Sequence, residues 1–193
     1  RLAEAGIVVA AKDPRLGRIL EVVKEREDRG YAYDGAQASF ELIARRELGL
    51  LPAFFEVKRY RVTVERRKNK YDRMVSLSEA VVVVKIGATK TLSVSESMDA
   101  AGTDRGPVNA LAKALAKDLG PYQAVIDDLQ LVDYKVRVTQ GGTDAVTRVI
   151  IDSEDSQGRR WSTVGVSANI VDASFEALLD AINWKLIRDG AKA

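Results

Sequence analysis

The chain has 193 residues, 46% of them hydrophobic and 30% charged, and its 30 basic and 28 acidic residues leave a formal net charge of +2. This balance is typical of one or two globular domains and gives no general argument for a nucleic-acid or anionic-membrane partner. Histidine and cysteine are absent, which excludes disulfides, cysteine metal sites and the commonest general base near neutral pH. The apolar runs are too short for a membrane span or a signal peptide, so we expect a soluble, cytoplasmic protein.

Residues 1–52 predict a small helical linker subdomain. Asp13 and Pro14 can cap and open a helix, and apolar residues follow at helical spacing: Leu16, Ile19, Leu20 and Val23. A second helix is predicted from residue 35 or 36 to Leu48, with Gly49 beyond its end. The chain begins at Arg1, inside what resembles the end of a preceding element, so we expect a piece of a larger protein.

Residues 53–193 contain one pattern twice, in repeats of about 53–124 and 125–193. Each repeat has three stretches of strand character, which are Tyr60–Val64, Glu79–Val84 and Thr91–Val94 in the first and Tyr134–Val138, 144–151 and Trp161–Val164 in the second. Five apolar residues at helical spacing follow in each: Val108, Leu111, Ala112, Leu115 and Leu119, then Phe175, Leu178, Leu179, Ile182 and Leu186. A βββα unit cannot bury its helix face alone. We therefore predict an α+β fold in which antiparallel sheets carry helices on one face and the repeats pack around a pseudo-twofold axis.

Catalytic chemistry has little support in these residues. Without histidine or cysteine, a nucleophile and base would have to combine serine with lysine or a carboxylate, and no local motif does so. Gly102–Gly106 matches neither a Walker loop nor a dinucleotide fingerprint. The carboxylates of Asp152–Gly158 lack EF-hand spacing, which favours an exposed turn. We predict no catalytic residue, metal site or cofactor site in this chain.

The segment Lys58–Arg73 holds eight basic residues together with Tyr60 and Tyr71. Basic residues with interleaved aromatics also line nucleic-acid grooves. However, Glu65 and Asp72 interrupt this cluster, so a solvated charged hairpin is the simpler interpretation, and nucleic-acid binding is a minor alternative.

Binding of a small molecule is better supported. The predicted helices begin near Gly106–Asn109 and Asn169–Ala173, and a helix N-terminus presents unpaired N–H groups that suit a carboxylate. The apolar residues Val108, Leu111 and Leu115 could accept an aliphatic side chain. A small apolar amino acid would satisfy both features, although the same residues could be simply cap and core.

Several long motifs resemble the C-terminal regulatory domain of the 2-isopropylmalate synthase and citramalate synthase family. They are Gly106–Leu111, Gly142–Val149 and Trp161–Ile170 followed by Asp172–Ser174, while Gly30–Leu42 resembles the linker of the citramalate synthase branch. The resemblance implies a parent acyltransferase whose separate N-terminal barrel, dependent on a divalent metal, condenses acetyl-CoA with a 2-oxo acid. The acceptor would be pyruvate for citramalate synthase and 2-oxoisovalerate for 2-isopropylmalate synthase.

The resemblance also implies a homodimer that binds isoleucine or leucine as a feedback inhibitor. The effector would lie near Gly106, Pro107, Asn109 and Ala110, with Asp144 and Ala145 nearby, and the apolar residues Val108, Leu111 and Leu115 complete the predicted site. Arg105 departs from the small residue usual before Gly-Pro-Val, and it could hold the effector carboxylate or crowd the loop. A structural dimerisation module without an effector remains an alternative.

Overall fold

The computed structural model describes residues 2–4, 6–10, 12–99, 106–140 and 145–193. Asp144 and Arg105 lie outside these residues, as does nearly all of the predicted turn from Gln140 to Asp144. The chain divides into two compact units, of which residues 53–127 form one and residues 1–52 with 128–192 form the other. Each unit is described by itself.

The first 52 residues form two helices, α1 (Arg15–Asp28) and α2 (Gln37–Glu47). The Asp13 carboxylate accepts a hydrogen bond from the backbone N–H of Arg15 at 2.9 Å, which satisfies one donor at the start of α1. Ile19 and Val23 are buried as the spacing predicts, but Leu20 is exposed. Leu20 follows Ile19 by about 100° of helix rotation, so it points away from the apolar stripe.

The first repeat consists of β1 (Glu56–Lys68), β2 (Met74–Ile86) and β3 (Thr89–Asp99), followed by α3 (Gly106–Ala116). The strands are antiparallel in the order β1-β2-β3. A short 3₁₀ turn at Gly120–Tyr122 and a one-turn helix, α4 (Gln123–Ile126), end the repeat. The helical spacing predicted Leu119 as part of this helix, but Leu119 lies beyond the end of α3; it is nevertheless fully buried.

The second repeat has the same order of elements: β4 (Gln130–Gln140), β5 (Val146–Glu154), β6 (Arg160–Ser167) and α5 (Ile170–Arg188). Its sheet is antiparallel in the order β4-β5-β6. Two three-stranded sheets, each followed by a helix, confirm the predicted α+β class and the two βββα repeats. The strands are longer than the apolar stretches predict, because hairpin pairing continues into their charged ends.

One face of each sheet is covered by the helix of its own repeat. Ala80, Val82 and Val84 on β2 are buried with Leu111 and Leu115 of α3. In the second repeat the corresponding core lies between β5, β6 and α5: Val149, Ile151, Ala177, Leu178, Ile182 and Leu186. No described helix is long and apolar enough to cross a membrane.

Helices α1 and α2 share their core and polar contacts with the second repeat, within one compact unit. Val164 of β6 belongs to the same buried cluster as Ile43 and Ala44 of α2. The Ser39 hydroxyl accepts from the Val164 N–H at 3.0 Å and donates to Asp180 of α5 at 2.6 Å. These contacts give α2 a fixed position against β6 and α5.

Candidate functional site

The predicted effector residues Gly106 to Leu111 form the first turns of α3. Gly106 has a φ of +77°, which a residue with a side chain rarely adopts, so glycine allows the chain to turn into the helix here. Residues 106–109 are partly exposed, whereas Ala110, Leu111 and Leu115 are fully buried. The accessible part of the predicted site is therefore the first helical turn, and the apolar residues lie beneath it.

Asn109 in that first turn has an unusual environment. Its side-chain oxygen, Oδ1, is buried and has no hydrogen-bond partner among the described residues. A buried acceptor without a partner costs about 1–3 kcal/mol. An ammonium or amide donor brought by a ligand would remove that cost. The sequence pattern did not predict that this oxygen is buried without a partner.

The N-terminus of α5 is less suited to bind an anion. The Asn169 side chain caps it by accepting from the Val171 N–H at 2.9 Å, as its type and position predict. Asp172 adds a carboxylate in the first turn, where α3 has no acidic residue. Of the two predicted helix ends, α3 therefore has the better electrostatics for a carboxylate ligand. Ala145, also in the predicted site, lies directly before β5.

Apolar side chains are exposed on β4, an edge strand of the second sheet. Tyr134, Val136 and Val138 alternate along it and are 37%, 41% and 65% exposed. The Tyr134 hydroxyl lies 2.7 Å from that of Ser174 in α5, so these side chains are on the helix-bearing face. They extend beyond the area that the helix covers. An exposed apolar edge of this kind is typical of an interaction surface.

The turn between β5 and β6 uses its carboxylates for ion pairs. Asp155 pairs with Arg159 and Lys185, and Glu154 pairs with Arg160. The Arg159 and Lys185 partners outweigh the effect of burial and hold the pKa of Asp155 at about 2. Within the described ranges, no group of three or more potential metal ligands is present.

A family model, the LeuA allosteric (dimerisation) domain, matches residues 34–186. The chain belongs to this family. The match confirms the resemblance to the regulatory domain of the 2-isopropylmalate synthase and citramalate synthase family, and it includes α2 as well as both repeats.

Relatives of this LeuA-type domain agree with the family match. The (R)-citramalate synthase of Geobacter sulfurreducens is 44% identical over 185 residues, which are 95% of this chain and 33% of that protein. The (R)-citramalate synthase of Aquifex aeolicus is 38% identical over 98% of this chain and 34% of its own length. The 2-isopropylmalate synthase of Methanocaldococcus jannaschii is 34% identical over 59% of this chain and 22% of its own length. The chain spans about a third of the length of these citramalate synthases.

Proposed function

We propose that this chain is the regulatory and dimer-forming part of a larger citramalate synthase, and that it binds isoleucine or leucine as a feedback inhibitor. The observation that carries the proposal is the family match over residues 34–186, a family described as allosteric and dimerising. Relatives named (R)-citramalate synthase that align along 95% or more of the chain favour this enzyme over 2-isopropylmalate synthase.

The first turn of α3 supports the effector part of the proposal. The positive end of the helix dipole at the start of α3 suits the carboxylate of an amino acid. The Asn109 oxygen suits its ammonium group. Val108, partly exposed in the same turn, offers apolar contact to an aliphatic side chain. Asp144, Ala145 and the cytoplasmic location stay predictions.

The parent reaction belongs to the rest of the larger protein. Acetyl-CoA and a 2-oxo acid, with pyruvate as the expected acceptor, would react in a catalytic barrel that holds a divalent metal. This chain has no histidine and, among its described residues, no metal-ligand cluster. We infer that the role of this chain is control.

Control follows from a difference in affinity. If the amino acid binds one arrangement of the dimer more tightly, it shifts the population towards that arrangement, and α1 and α2 transmit the shift to the catalytic part. A coupling of about 1–3 kcal/mol is usual for such systems.

Calorimetric titration of the chain with isoleucine and leucine tests the proposal, with glycine as the control that lacks an aliphatic side chain. We expect saturable binding of at least one branched-chain amino acid and a loss of about tenfold in affinity in Asn109→Ala, since one charge-assisted hydrogen bond is removed. Absence of heat for both amino acids at millimolar concentration, with a dimer still present, would instead indicate a structural dimerisation module.

A further inference from the structure

The first sheet has an outer face, opposite the face that α3 covers, to which β2 and β3 each contribute four alternate residues. These residues are Glu79, Val81, Val83 and Lys85 on β2, and Lys90, Leu92, Val94 and Glu96 on β3. The residues that alternate with them on β2, which are Ala80, Val82 and Val84, are buried on the side of α3. Because successive side chains of a strand point to opposite sides, the eight residues lie together on the outer face.

The centre of the outer face is apolar. In the register of the two strands, Val81 is paired with Val94 and Val83 with Leu92. The three valines are partly exposed, and Leu92 is 60% exposed. A contiguous, accessible apolar patch of this kind is typical of an interaction surface.

Each end of this apolar centre carries two like charges in directly opposite positions. Lys85 is paired with Lys90 at one end, and Glu79 is paired with Glu96 at the other. Like charges directly opposite each other destabilise an antiparallel pair of strands. A partner that brings carboxylates to the lysine end and cations to the glutamate end would remove this repulsion.

Partners within the chain compensate these charges only in part. Glu79 pairs with Arg61 of β1 at 3.6 Å, but the Arg61 side chain is 70% exposed, and such surface pairs contribute little. Glu56 lies opposite Lys85 in the register, but its carboxylate pairs with Lys58 at 2.6 Å. Among the ion pairs of the described ranges, none includes either lysine of the outer face.

The equivalent face of the second sheet is covered within its own unit. The repeat pattern aligns Thr91–Val94 with Trp161–Val164, so Val94 corresponds to Val164. Val164 and its paired residue Ile150 pack against the cluster that includes residues of α1 and α2. The apolar pair at this position is thus packed in the second repeat, whereas its counterpart in the first repeat is partly exposed.

We propose that two copies of this chain pack the outer faces of their first sheets against each other about a twofold axis. Sheets that pack face to face keep their strands within about 30° of one another, so the strands of the two copies run either parallel or antiparallel. In the antiparallel arrangement the lysine pair of each copy lies over the glutamate pair of the other, and the apolar centres meet. The parallel arrangement would place like charges together. The outer face is therefore self-complementary, as a twofold contact between identical surfaces requires.

This contact is weaker than a standard protein interface and is separate from the apolar face of β4. The rise along a strand and the spacing between strands make it about 20 Å long and 10 Å wide, well below the roughly 800 Å² per partner of a stable complex. Arg59 and Arg61 on β1 are exposed and would lie at its solvated rim. Dimers formed through β4 would associate further through the outer face at high protein concentration, whether or not an amino acid is bound.

Two charge variants test the self-complementarity by sedimentation equilibrium. The acid-face variant, Lys85→Glu with Lys90→Glu, and the base-face variant, Glu79→Lys with Glu96→Lys, each carry a single sign of charge at both ends. Each variant alone should associate at least tenfold more weakly than the wild type. An equimolar mixture should restore association, because the acid face of one variant then meets the base face of the other. The variants leave β4 unchanged, so the dimer formed through that strand is the same in all of them.

Two controls separate this contact from general charge effects. Lys68→Glu with Lys70→Glu gives the net charge of the acid-face variant at exposed positions around the β1–β2 turn, and it should associate like the wild type. Leu92→Ser in both members of the mixture keeps the charges and removes the most exposed apolar side chain of the centre. Burial of that side chain in each copy contributes to the contact, so we expect the mixed complex to weaken about tenfold or more. If a double variant does not fold by circular dichroism, the exposed single substitutions Lys90→Glu and Glu96→Lys on the edge strand β3 replace it.

Three results would overturn the proposal. The first is association of the acid-face and base-face variants, each alone, as strong as that of the wild type. The second is a mixture that sediments as its two separate components. The third is a mixed complex that Leu92→Ser leaves unchanged, since it would reflect attraction between opposite net charges without a packed apolar centre.

Discussion

Lys185, near the end of α5, is buried at 1% exposure among three carboxylates. Its Nζ lies 2.8 Å from Asp189, 3.0 Å from Asp128 and 3.2 Å from Asp155. Burial lowers the pKa of Lys185, but the hydrogen bonds with these carboxylates outweigh it and raise the pKa above its ordinary value. The ammonium group therefore joins the start of the second repeat, the β5–β6 turn and the end of α5.

Replacement of this cation should be costly. We expect Lys185→Met to lower the free energy of unfolding by about 3 kcal/mol, because it leaves buried carboxylates without their partner. Urea denaturation measures the change. Lys113→Met, on the exposed side of α3, is the control and should change stability by less than about 0.5 kcal/mol. If the free energy of unfolding falls by less than about 1 kcal/mol in the Lys185 variant, solvent replaces the ammonium group as the partner of the three carboxylates.

Titration of Asp180 in α5 should make the stability of the protein depend on pH. Burial, opposed by the hydrogen bond from Ser39 and assisted by the nearby Glu176 charge, raises the pKa of Asp180 to about 7. In the unfolded chain the group loses its proton near pH 4. Between these values the folded state binds more protons, so the free energy of unfolding falls as pH rises, by up to about 1.4 kcal/mol per pH unit.

Asp180→Asn should remove this dependence while its side-chain oxygen still accepts from Ser39. We expect the variant to lose less stability than the wild type between pH 5 and pH 8 in parallel urea titrations. Asp172→Asn, exposed in the first turn of the same helix, controls for the general change in charge. If the free energy of unfolding changes with pH equally in the wild type and in Asp180→Asn, Asp180 is ionised in the folded state throughout this pH range.

At the scale of secondary-structure elements, β6 and α5 approach each other unusually closely at Gly165. A Cβ atom built on Gly165 would lie 1.9 Å from the carbonyl oxygen of Ala173 and 3.0 Å from the Ala177 nitrogen. Thr163, two residues away on the same face, donates to the Ala177 carbonyl at 2.8 Å. Glycine and alanine at facing positions let the helix backbone lie directly on the strand.

We expect Gly165→Ala to destabilise the protein by about 3 kcal/mol, since a methyl group there must displace backbone rather than a flexible side chain. In a chain of this size, this corresponds to a fall of about 6–12 °C in Tm. Gly17→Ala in α1 makes the same change where nothing lies within 4 Å, and it should leave Tm unchanged or raise it. A similar response of both variants would mean that α5 shifts freely.

Periodicity predicted the elements because it depends on neighbours a few residues apart. The alternation in Tyr134–Val138 and the helical spacing from Phe175 to Leu186 were sufficient for β4 and α5. The position of α2 was not predictable, because it depends on contacts such as Ser39 with Asp180, 141 residues apart in sequence. The cavity between α2, β6 and the C-terminal half of α5 was not predictable either, because its lining residues come from four separate segments of the chain.

The candidate effector site, too, was predictable in its local features and not in those that depend on tertiary packing. The start of α3 at Gly106 was predictable from local punctuation by glycine and proline. The buried oxygen of Asn109 and the full burial of Leu111 were not, because both depend on how α3 lies on its sheet. Local sequence thus locates the turn, and tertiary packing decides which of its atoms a ligand can use.

At the scale of the whole molecule, self-association should depend on the exposed apolar face of β4. An aspartate at Val136 places a charge in the middle of this face, where burial against a second copy would cost several kcal/mol. We expect Val136→Asp to shift the dimer towards monomer by at least tenfold in dissociation constant, measured by sedimentation equilibrium. Because Val136 is 41% exposed, the isolated fold should tolerate the change, and circular dichroism should be unaltered.

The matched control is Leu50→Asp, which introduces the same charge at an exposed apolar residue just after α2. This variant should associate like the wild type. If both variants remain dimeric at the same concentration, the dimer must use another surface, and the apolar face of β4 would have to be covered by some other part of the larger protein. If only Val136→Asp dissociates, loss of isoleucine or leucine binding in the same variant would tie the effector to the dimeric state, as population-shift control requires.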